Sequence, residues 1–332
     1  MVGILRYGRH CFWMAVATIR LLVGFAQASR YFKVQLMGDL QLPESSFFSR
    51  KEKRRLKHYF YGGTFLQLLF EALQPTSKSA GTTYRLSNLA ALAYYFDDLL
   101  ELSQAQTLIG FNWKDKPKEF GRLVDDHRQL ALHFLDNLHQ SMDTQQQMAF
   151  DQVMYQVFNS ELAAKQHPPE DLERLQAHAA EKGGYSVLLF RQLAPVAPDL
   201  LEERALMEFG HLIQACDDIF DVWFDLEERV PSFAAYLLQK GQLQKLEEVF
   251  ERQVTATSAA FRRCTFPKTR IETALRLVHY ITAITRVCLK HYRKLEKKHG
   301  YLPLENRSEM VVDMERWKNR LATAYELAFF MP

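Results

Sequence analysis

The sequence predicts an all-α protein with one large helical domain. Glycine and proline are scarce, at 14 and 11 residues in a chain of 332. Apolar side chains recur over long stretches at the three- and four-residue spacing of a helix face. No segment alternates convincingly between apolar and polar residues, as a half-buried strand would. Few breakers and helical periodicity together favour helices over strands and turns.

Short breaks divide the chain into successive helices. Prolines follow the helix that ends near residue 166, Pro231 ends another, and Gly300 precedes the last. A break is also expected at Gly183 and Gly184. The predicted helices cover residues 50–72, 84–102, 118–140, 144–166, 169–181, 185–193, 198–228, 233–239, 243–263, 267–298 and 306–330.

Residues 1–30 are set apart from the domain 31–332 as an apolar or amphipathic N-terminal helix. The apolar run 11–19 follows two arginines and precedes an Ala-Gln-Ala triplet, which imitates a secretory signal. Arg20 interrupts this run, however, and no uncharged stretch reaches the roughly 18 residues of a membrane span. We therefore expect a helix packed on the domain, with a composition that also allows a shallow membrane contact.

Charge and cysteine usage restrict the functional class. A net charge of +3 is too small to indicate nucleic-acid binding by itself. No cysteine belongs to a CxxC pair, and a chain of this length needs no disulfides for stability. Reduced thiols in a cytoplasmic protein, with membrane association as an option, are the simplest interpretation. The cysteines are Cys11, Cys216, Cys264 and Cys288.

The first group of carboxylates ends the helix predicted over 84–102. Asp97 and Glu101 are four residues apart and share a helix face, with Asp98 beside it. Apolar neighbours surround them, as in a buried helix. Carboxylates in such a place are costly unless positive charge meets them.

The second group lies on the helix predicted over 198–228. Asp217, Asp221 and Asp225 recur at every fourth residue and form a stripe two turns long, flanked by Asp218. Large apolar residues again surround the stripe. A solvated helix face is the alternative for either acidic group alone, but two such groups within apolar helices favour a binding site.

Carboxylate oxygens suit Mg²⁺, which commonly binds one or two carboxylates together with substrate phosphates. Two acidic helices facing each other across a cavity could hold a diphosphate through bridging magnesium ions. A neutralised diphosphate is a better leaving group, and aromatic walls would shield the carbocation that remains. Tyr94, Phe96 and Phe220 are the candidates for that wall, with ordinary core packing as the alternative.

The two motifs resemble those of the class I isoprenoid synthase superfamily, which includes trans-prenyl diphosphate synthases, squalene and phytoene synthases and class I terpene cyclases. Asp97-Asp98-Leu99-Leu100-Glu101 resembles the first motif, DDxx(D/E). Residues 210–221 resemble the second motif of the prenyltransferases, GxxxQxxDDxxD, and the matching positions are Gly210, Gln214, Asp217, Asp218 and Asp221. The stripe also has the spacing of the metal triad in terpene cyclases, although all three of its residues are aspartate.

The resemblance implies a helical bundle around a central apolar cavity, a set of about three Mg²⁺ ions, a prenyl diphosphate substrate and a homodimer. It implies catalytic roles for Asp97, Asp98, Glu101, Asp217, Asp218 and Asp221. It implies metal binding by Asp97, Asp98, Glu101, Asp217, Asp221 and Asp225.

Three further residues are candidates for contact with the diphosphate. Lys182 lies where prenyltransferases place a diphosphate-binding lysine, at a break in a helix, and a lysine near a helix start can meet phosphate together with free backbone N–H groups. A solvated loop lysine is the alternative. Gln214 belongs to the matched second motif. Arg191 lies nearby, although arginines in such places are more often structural.

One element of the chain-elongating synthases is missing. Their GGKxxRP-like segment grips isopentenyl diphosphate, but here Gly62 and Gly63 are followed by Thr64. The basic run at 50–57 could supply a shifted phosphate site or be a solvated face. The departure favours a cyclase acting on one linear substrate, such as farnesyl or geranylgeranyl diphosphate.

Alternatives to the cyclase stay open. One is a prenyltransferase that joins isoprenoid diphosphates, either elongating a chain or acting like a squalene or phytoene synthase. Another is a non-catalytic protein that binds isoprenoids. A carboxylate-bridged iron protein is disfavoured because it needs repeated Glu-x-x-His pairs, and only Glu208 with His211 has that spacing near either motif.

Overall fold

The computed structural model describes residues 2–36, 50–74, 80–102, 122–166, 171–314 and 316–330. Within these ranges the chain forms thirteen α-helices and one π-helical turn, and it forms no strand. The prediction of an all-α protein is confirmed. No helix in the described part of the chain is both long and apolar enough to cross a membrane.

The connections that the structure describes between helices are short. The bounds of the helices are α1 (Val2–Tyr31), α2 (Arg50–Leu73), α3 (Ala80–Leu102), α4 (Arg122–Gln140), α5 (Thr144–Gln166), α6 (Leu172–Arg191), α7 (Leu200–Phe220), α8 (Val222–Glu228), α9 (Phe233–Gln239), α10 (Leu243–Arg262), α11 (Lys268–His299), α12 (Arg307–Met310) and α13 (Trp317–Phe330). The π-helical turn, Phe32–Leu36, continues directly from α1.

The described residues belong to two compact units. The first unit takes its residues from Met1–Ala17, His167–Leu188 and Pro198–Pro332, and the second from Thr18–Gln166 and Leu189–Ala197. The division into 1–30 and 31–332 stays a prediction.

The second unit has an aromatic-rich core between α1, α2, α3, α4 and α5. The Tyr95 ring stacks on that of Phe134 with centroids 5.8 Å apart, and Phe32 meets Phe60 at 5.4 Å. Such pairs add about 0.5–1.5 kcal/mol each beyond the area that they bury. This core fixes the face that α3 buries, and with it the direction of Asp97.

The first unit packs α7 against α10 and α11. The Phe209 ring lies 6.1 Å from that of Phe261, and Gln253 donates from its side-chain amide to the Glu208 carbonyl at 3.1 Å. Arg286 on α11 forms a two-bond ion pair with Glu251 on α10, at 2.6 Å for each bond. These contacts join α7 to α10 and α10 to α11.

The break predicted at Gly183 and Gly184 is wrong, because α6 runs through both residues without interruption. Here the missing side chains permit close helix packing. A Cβ atom added to Gly183 would lie 2.1 Å from the Gly210 carbonyl oxygen, and one added to Gly184 would lie 2.5 Å from the end of Met207. The glycines therefore let α6 cross α7 backbone to backbone.

The single helix predicted over 198–228 is also wrong. It divides at Asp221, which has φ −97° and ψ 8° and ends α7 before α8 begins. The hydrogen bonds across the junction keep helical spacing, since the Asp221 N–H donates to the Asp217 carbonyl at 2.9 Å and the Asp225 N–H to that of Asp221 at 2.8 Å. The interruption is thus a local bend.

The glycine crossing predicts a large effect for Gly210→Ala. The new Cβ would lie 2.2 Å from the Gly183 carbonyl oxygen and 2.5 Å from the Gly184 Cα, and backbone atoms there cannot move aside cheaply. We expect the free energy of unfolding to fall by about 3 kcal/mol, as measured by urea denaturation followed by circular dichroism.

The matched control is Gly62→Ala on α2, where a Cβ meets nothing within 4 Å. Alanine should stabilise that helix by about 0.5–1 kcal/mol. Equal effects of the two substitutions would contradict the close crossing.

Candidate functional site

The second acidic motif spans the junction between α7 and α8 in the first unit. Asp217 and Asp221 are exposed, Asp225 is half-buried and Asp218 is buried, with 7% of its surface accessible. The hydrogen bonds of the junction keep Asp217, Asp221 and Asp225 one turn apart. The structure therefore brings these carboxylates along one edge of the bend, as the sequence spacing predicts.

The bend is anchored from α11. The Tyr292 hydroxyl, buried at 1% exposure, donates to the Ile219 carbonyl at 3.0 Å. The Cys288 thiol lies 3.9 Å from the same oxygen. Sequence reasoning missed Tyr292, and no local signal marks it, because it lies more than 60 residues further along the chain than the motif it supports.

Asp218 is oriented by its neighbour on α7. The Gln214 side-chain amide donates to the Asp218 carboxylate at 2.8 Å. The Cβ of Gln214 borders the glycine crossing, since a Cβ added to Gly183 would lie 2.9 Å from it. Gln214 thus links the helix crossing to the acidic motif, as its place in the motif suggests.

Lys182 precedes the glycine pair on α6 and acts on the same carboxylates. Its positive charge lowers the pKa values of Asp218 and Asp225. It lies inside a continuous helix, so the predicted helix start and its free backbone N–H groups are wrong. Lys182 could therefore contact a phosphate through its ammonium group, without free backbone N–H groups beside it.

Burial and repulsion between like charges raise the pKa values of three carboxylates of the acidic motif. Burial is the main cause that raises the pKa of Asp218 to about 7, and repulsion from Asp217 and Asp225 adds to it. Burial and then Asp217 raise the pKa of Asp221 to about 7, although its side chain keeps contact with solvent. Burial also raises the pKa of Asp225 to about 6, against the opposing hydrogen bond from Ser232. A nearby positive charge would lower these pKa values, as that of Lys182 does for Asp218 and Asp225.

The first acidic motif lies on α3 in the second unit. The Asp97 carboxylate accepts hydrogen bonds from the Tyr59 hydroxyl at 2.6 Å and from the Arg55 guanidinium at 3.3 Å. Both donors come from α2, one turn apart. The side chains of Asp98 and Glu101 lie outside the described residues.

Arg55 and Tyr59 were not among the predicted site residues. Arg55 belongs to the basic run 50–57, for which sequence reasoning left a phosphate site and a solvated face open. The ion pair with Asp97 is about one third exposed on both sides, so it contributes little to stability. The one feature of the sequence that could have pointed to them is their i, i+4 spacing, which places both side chains on one face of α2.

The aromatic residues before the first motif pack within the core of the second unit. Tyr94 meets Tyr95 at 5.0 Å between ring centroids, and Phe96 meets Phe158 at 5.8 Å. Phe220 in the first unit is half-buried and directly precedes the bend. Two cavities of about 290 and 630 Å³ in the second unit are lined by other residues.

Arg191 ends α6 and belongs to the second unit. It is buried at 2% exposure and donates to the Val196 carbonyl at 2.7 Å and to the Gln74 side-chain oxygen at 3.3 Å. It therefore holds the turn after α6 against α2 and forms part of the wall of the 290 Å³ cavity.

Comparison with models of known families finds none that matches this chain, and no curated protein matches it either. Among the residues that the structure describes, no three or more His, Cys, Asp or Glu side chains form a group that could hold a metal ion by themselves.

The raised pKa of Asp218 predicts that Asp218→Asn stabilises the protein at neutral pH. The carboxylate has a pKa of about 7 when folded and about 3.9 when unfolded, so the folded form binds more protons between these values and its stability falls as pH rises. Asparagine keeps an oxygen for Gln214 and removes the charge. We expect the unfolding free energy to rise by about 2 kcal/mol at pH 8 in metal-free buffer, with no gain below about pH 4.

Asp199→Asn on the same helix is the control of opposite sign. Asp199 caps α7 by accepting from the Glu202 N–H at 2.8 Å, and this bond lowers its pKa. Its charge therefore stabilises the folded state above the unfolded pKa, and losing it should cost less than about 1 kcal/mol at this exposed site. If Asp218→Asn lowered the unfolding free energy at pH 8, the Asp218 carboxylate could not have the raised pKa described above.

Proposed function

We propose that this chain is a magnesium-dependent enzyme of the class I isoprenoid synthase type. It ionises a linear prenyl diphosphate, such as farnesyl or geranylgeranyl diphosphate, and cyclises the allylic cation that remains. The observation that carries the proposal is the acidic bend between α7 and α8. Asp218, Asp221 and Asp225 all have raised pKa values there, in the sequence pattern of the second motif.

The donor chemistry of this bend fits Mg²⁺. Carboxylate oxygens are hard ligands, and Mg²⁺ usually keeps several waters and takes only one or two carboxylates plus substrate phosphates. A complete protein cage is therefore not required. Asp217, Asp221 and Asp225 would be the ligands in the first unit, and Asp97, Asp98 and Glu101 those in the second. When bound, the ions would neutralise the diphosphate as a leaving group.

Three residues around the bend would support the metal-binding carboxylates. Gln214 holds the Asp218 carboxylate in one orientation at 2.8 Å. Lys182 would meet phosphate oxygens, and its charge already favours the ionised forms of Asp218 and Asp225. Tyr292 fixes the backbone of the bend through the Ile219 carbonyl. Together they would keep the carboxylates in place before substrate arrives.

The proposed fold is a helical bundle of the terpenoid synthase type around a central apolar cavity. Phe220 is half-buried directly before the acidic bend and would contribute aromatic surface there, whereas Tyr94 and Phe96 are packed within the core of the second unit. An aromatic ring, rather than water, would face the allylic cation that forms when diphosphate leaves.

A detail of α2 favours the cyclase over a chain-elongating synthase. Gly62 and Gly63 lie inside the continuous helix α2. A Cβ added to Gly63 would come within 2.7 Å of the Phe190 ring and 2.9 Å of Leu86. Gly63 is therefore used for side-chain packing, which supports the absence of an isopentenyl diphosphate site at this place.

The experiment is incubation with geranyl, farnesyl or geranylgeranyl diphosphate and Mg²⁺, with pyrophosphate release and products measured. We expect a hydrocarbon or alcohol from one substrate alone, and loss of turnover with chelator. Asp217→Asn should lower turnover by more than about a hundredfold, because it removes a carboxylate that would hold the magnesium needed to neutralise the leaving group.

The control is Asp136→Asn, which changes an exposed carboxylate on α4 and should leave turnover unchanged. A longer diphosphate that forms only with added isopentenyl diphosphate would show that the enzyme is a prenyltransferase and not a cyclase. If no prenyl diphosphate is consumed under any of these conditions, the proposed enzyme is ruled out.

The raised pKa values also predict how magnesium activation depends on pH. Protons compete with the ion because carboxylates bind metal in their ionised form. The pKa values of Asp221 and Asp225 are about 7 and 6. The Mg²⁺ concentration for half-maximal turnover should therefore fall by about tenfold between pH 6 and pH 8. Asp136→Asn should show the same slope, and a flat profile would exclude these carboxylates as the ligands.

A further inference from the structure

One face of α1 is apolar and uncovered. Ile19 and Val23, in the part of α1 that belongs to the second unit, follow the i, i+4 spacing of one helix face, and both are exposed, with 59% of Ile19 accessible. Leu22 beside them is also exposed. We call this set the outer stripe of α1. A contiguous apolar surface of this kind marks an interaction site.

The opposite face of α1 is buried in the second unit. Leu21, Ala28 and the following Phe32 are almost inaccessible. Gly24 lies so close to α2 that an added Cβ would come 2.6 Å from the Thr64 methyl group. The helix is thus held in one rotation, and the outer stripe cannot turn inward to cover itself.

The charge of this segment is entirely positive. Residues 2–36 contain Arg6, Arg9, Arg20, Arg30 and Lys33 and no Asp or Glu. Arg20, Arg30 and Lys33 are exposed, and Arg30 lies seven residues beyond Val23, on the face of the outer stripe. Arg20 and Arg30 also line the 630 Å³ cavity beside the helix.

We infer that the outer stripe of α1 docks on the surface of a lipid bilayer that contains anionic lipids. Apolar side chains would enter the acyl boundary, and long basic side chains would reach the headgroups. Two-fold pairing with a second copy is disfavoured, because it would bring the arginines of two helices together with no carboxylate on either. The inference goes beyond the proposed function and needs neither substrate nor magnesium.

The test is flotation of the full chain with vesicles of phosphatidylcholine, with and without phosphatidylglycerol. The wild-type protein should float with the anionic vesicles, and high salt should weaken this. Ile19→Gln with Val23→Gln should weaken binding by about tenfold or more, since two aliphatic side chains that would enter the bilayer are lost. Arg20→Gln with Arg30→Gln should remove the preference for anionic lipid.

The matched control is Met148→Gln with Tyr155→Gln, two exposed apolar residues on α5, and it should bind as the wild type does. Circular dichroism of each variant should match that of the wild type, which checks that the variant is folded. Absence of wild-type binding, or equal binding by the Ile19 and Val23 variant, would overturn the inference. So would a wild-type dimer that this variant converts to monomers, because the stripe would then bind a second copy. Turnover in detergent-free buffer is scored separately, so the two proposals can fail independently.

Discussion

Helices α6 and α7 cross with their backbones in contact, and the acidic site depends on that crossing. The Gly183 and Gly210 positions leave no room for side chains, since a Cβ on either would overlap the other carbonyl group. This contact sets the distance between Lys182 on one helix and the carboxylates on the other. It also places Gln214 at the crossing, from which it orients Asp218. A wider crossing would separate the Lys182 charge from Asp218 and Asp225, whose pKa values it lowers.

The same region combines rigidity with electrostatic strain. Tyr292 and the two-bond ion pair between Arg286 and Glu251 hold α7, α10 and α11 together. Against this stabilisation stand the buried carboxylate of Asp218 and the half-buried carboxylate of Asp225, whose charges repel each other and that of Asp217. Protein cores rarely retain such groups unless a cation or a function compensates for them. Carboxylates with raised pKa values cluster at functional sites in proteins.

Much of the fold and the second motif can be predicted from the sequence, because both depend on local spacing. Helical periodicity gave the bounds of α2 and α5 within a residue or two, and the four-residue spacing of Asp217, Asp221 and Asp225 survives in the structure. The errors have tertiary causes. Gly183 and Gly184 look like helix breakers but serve a helix crossing. The bend at Asp221 is supported by Tyr292, and Asp97 is met by Arg55 and Tyr59, none of which shares a local pattern with its partner.

The carboxylates of the α7–α8 bend, in our proposal, hold divalent cations that bind a diphosphate. Anomalous diffraction from crystals grown with Mn²⁺ and pyrophosphate can locate such ions. We expect manganese peaks within coordination distance of the carboxylates of Asp217, Asp221 or Asp225, with pyrophosphate oxygens between the metal and the Lys182 ammonium group. Manganese and pyrophosphate bound only away from these carboxylates would contradict the proposal.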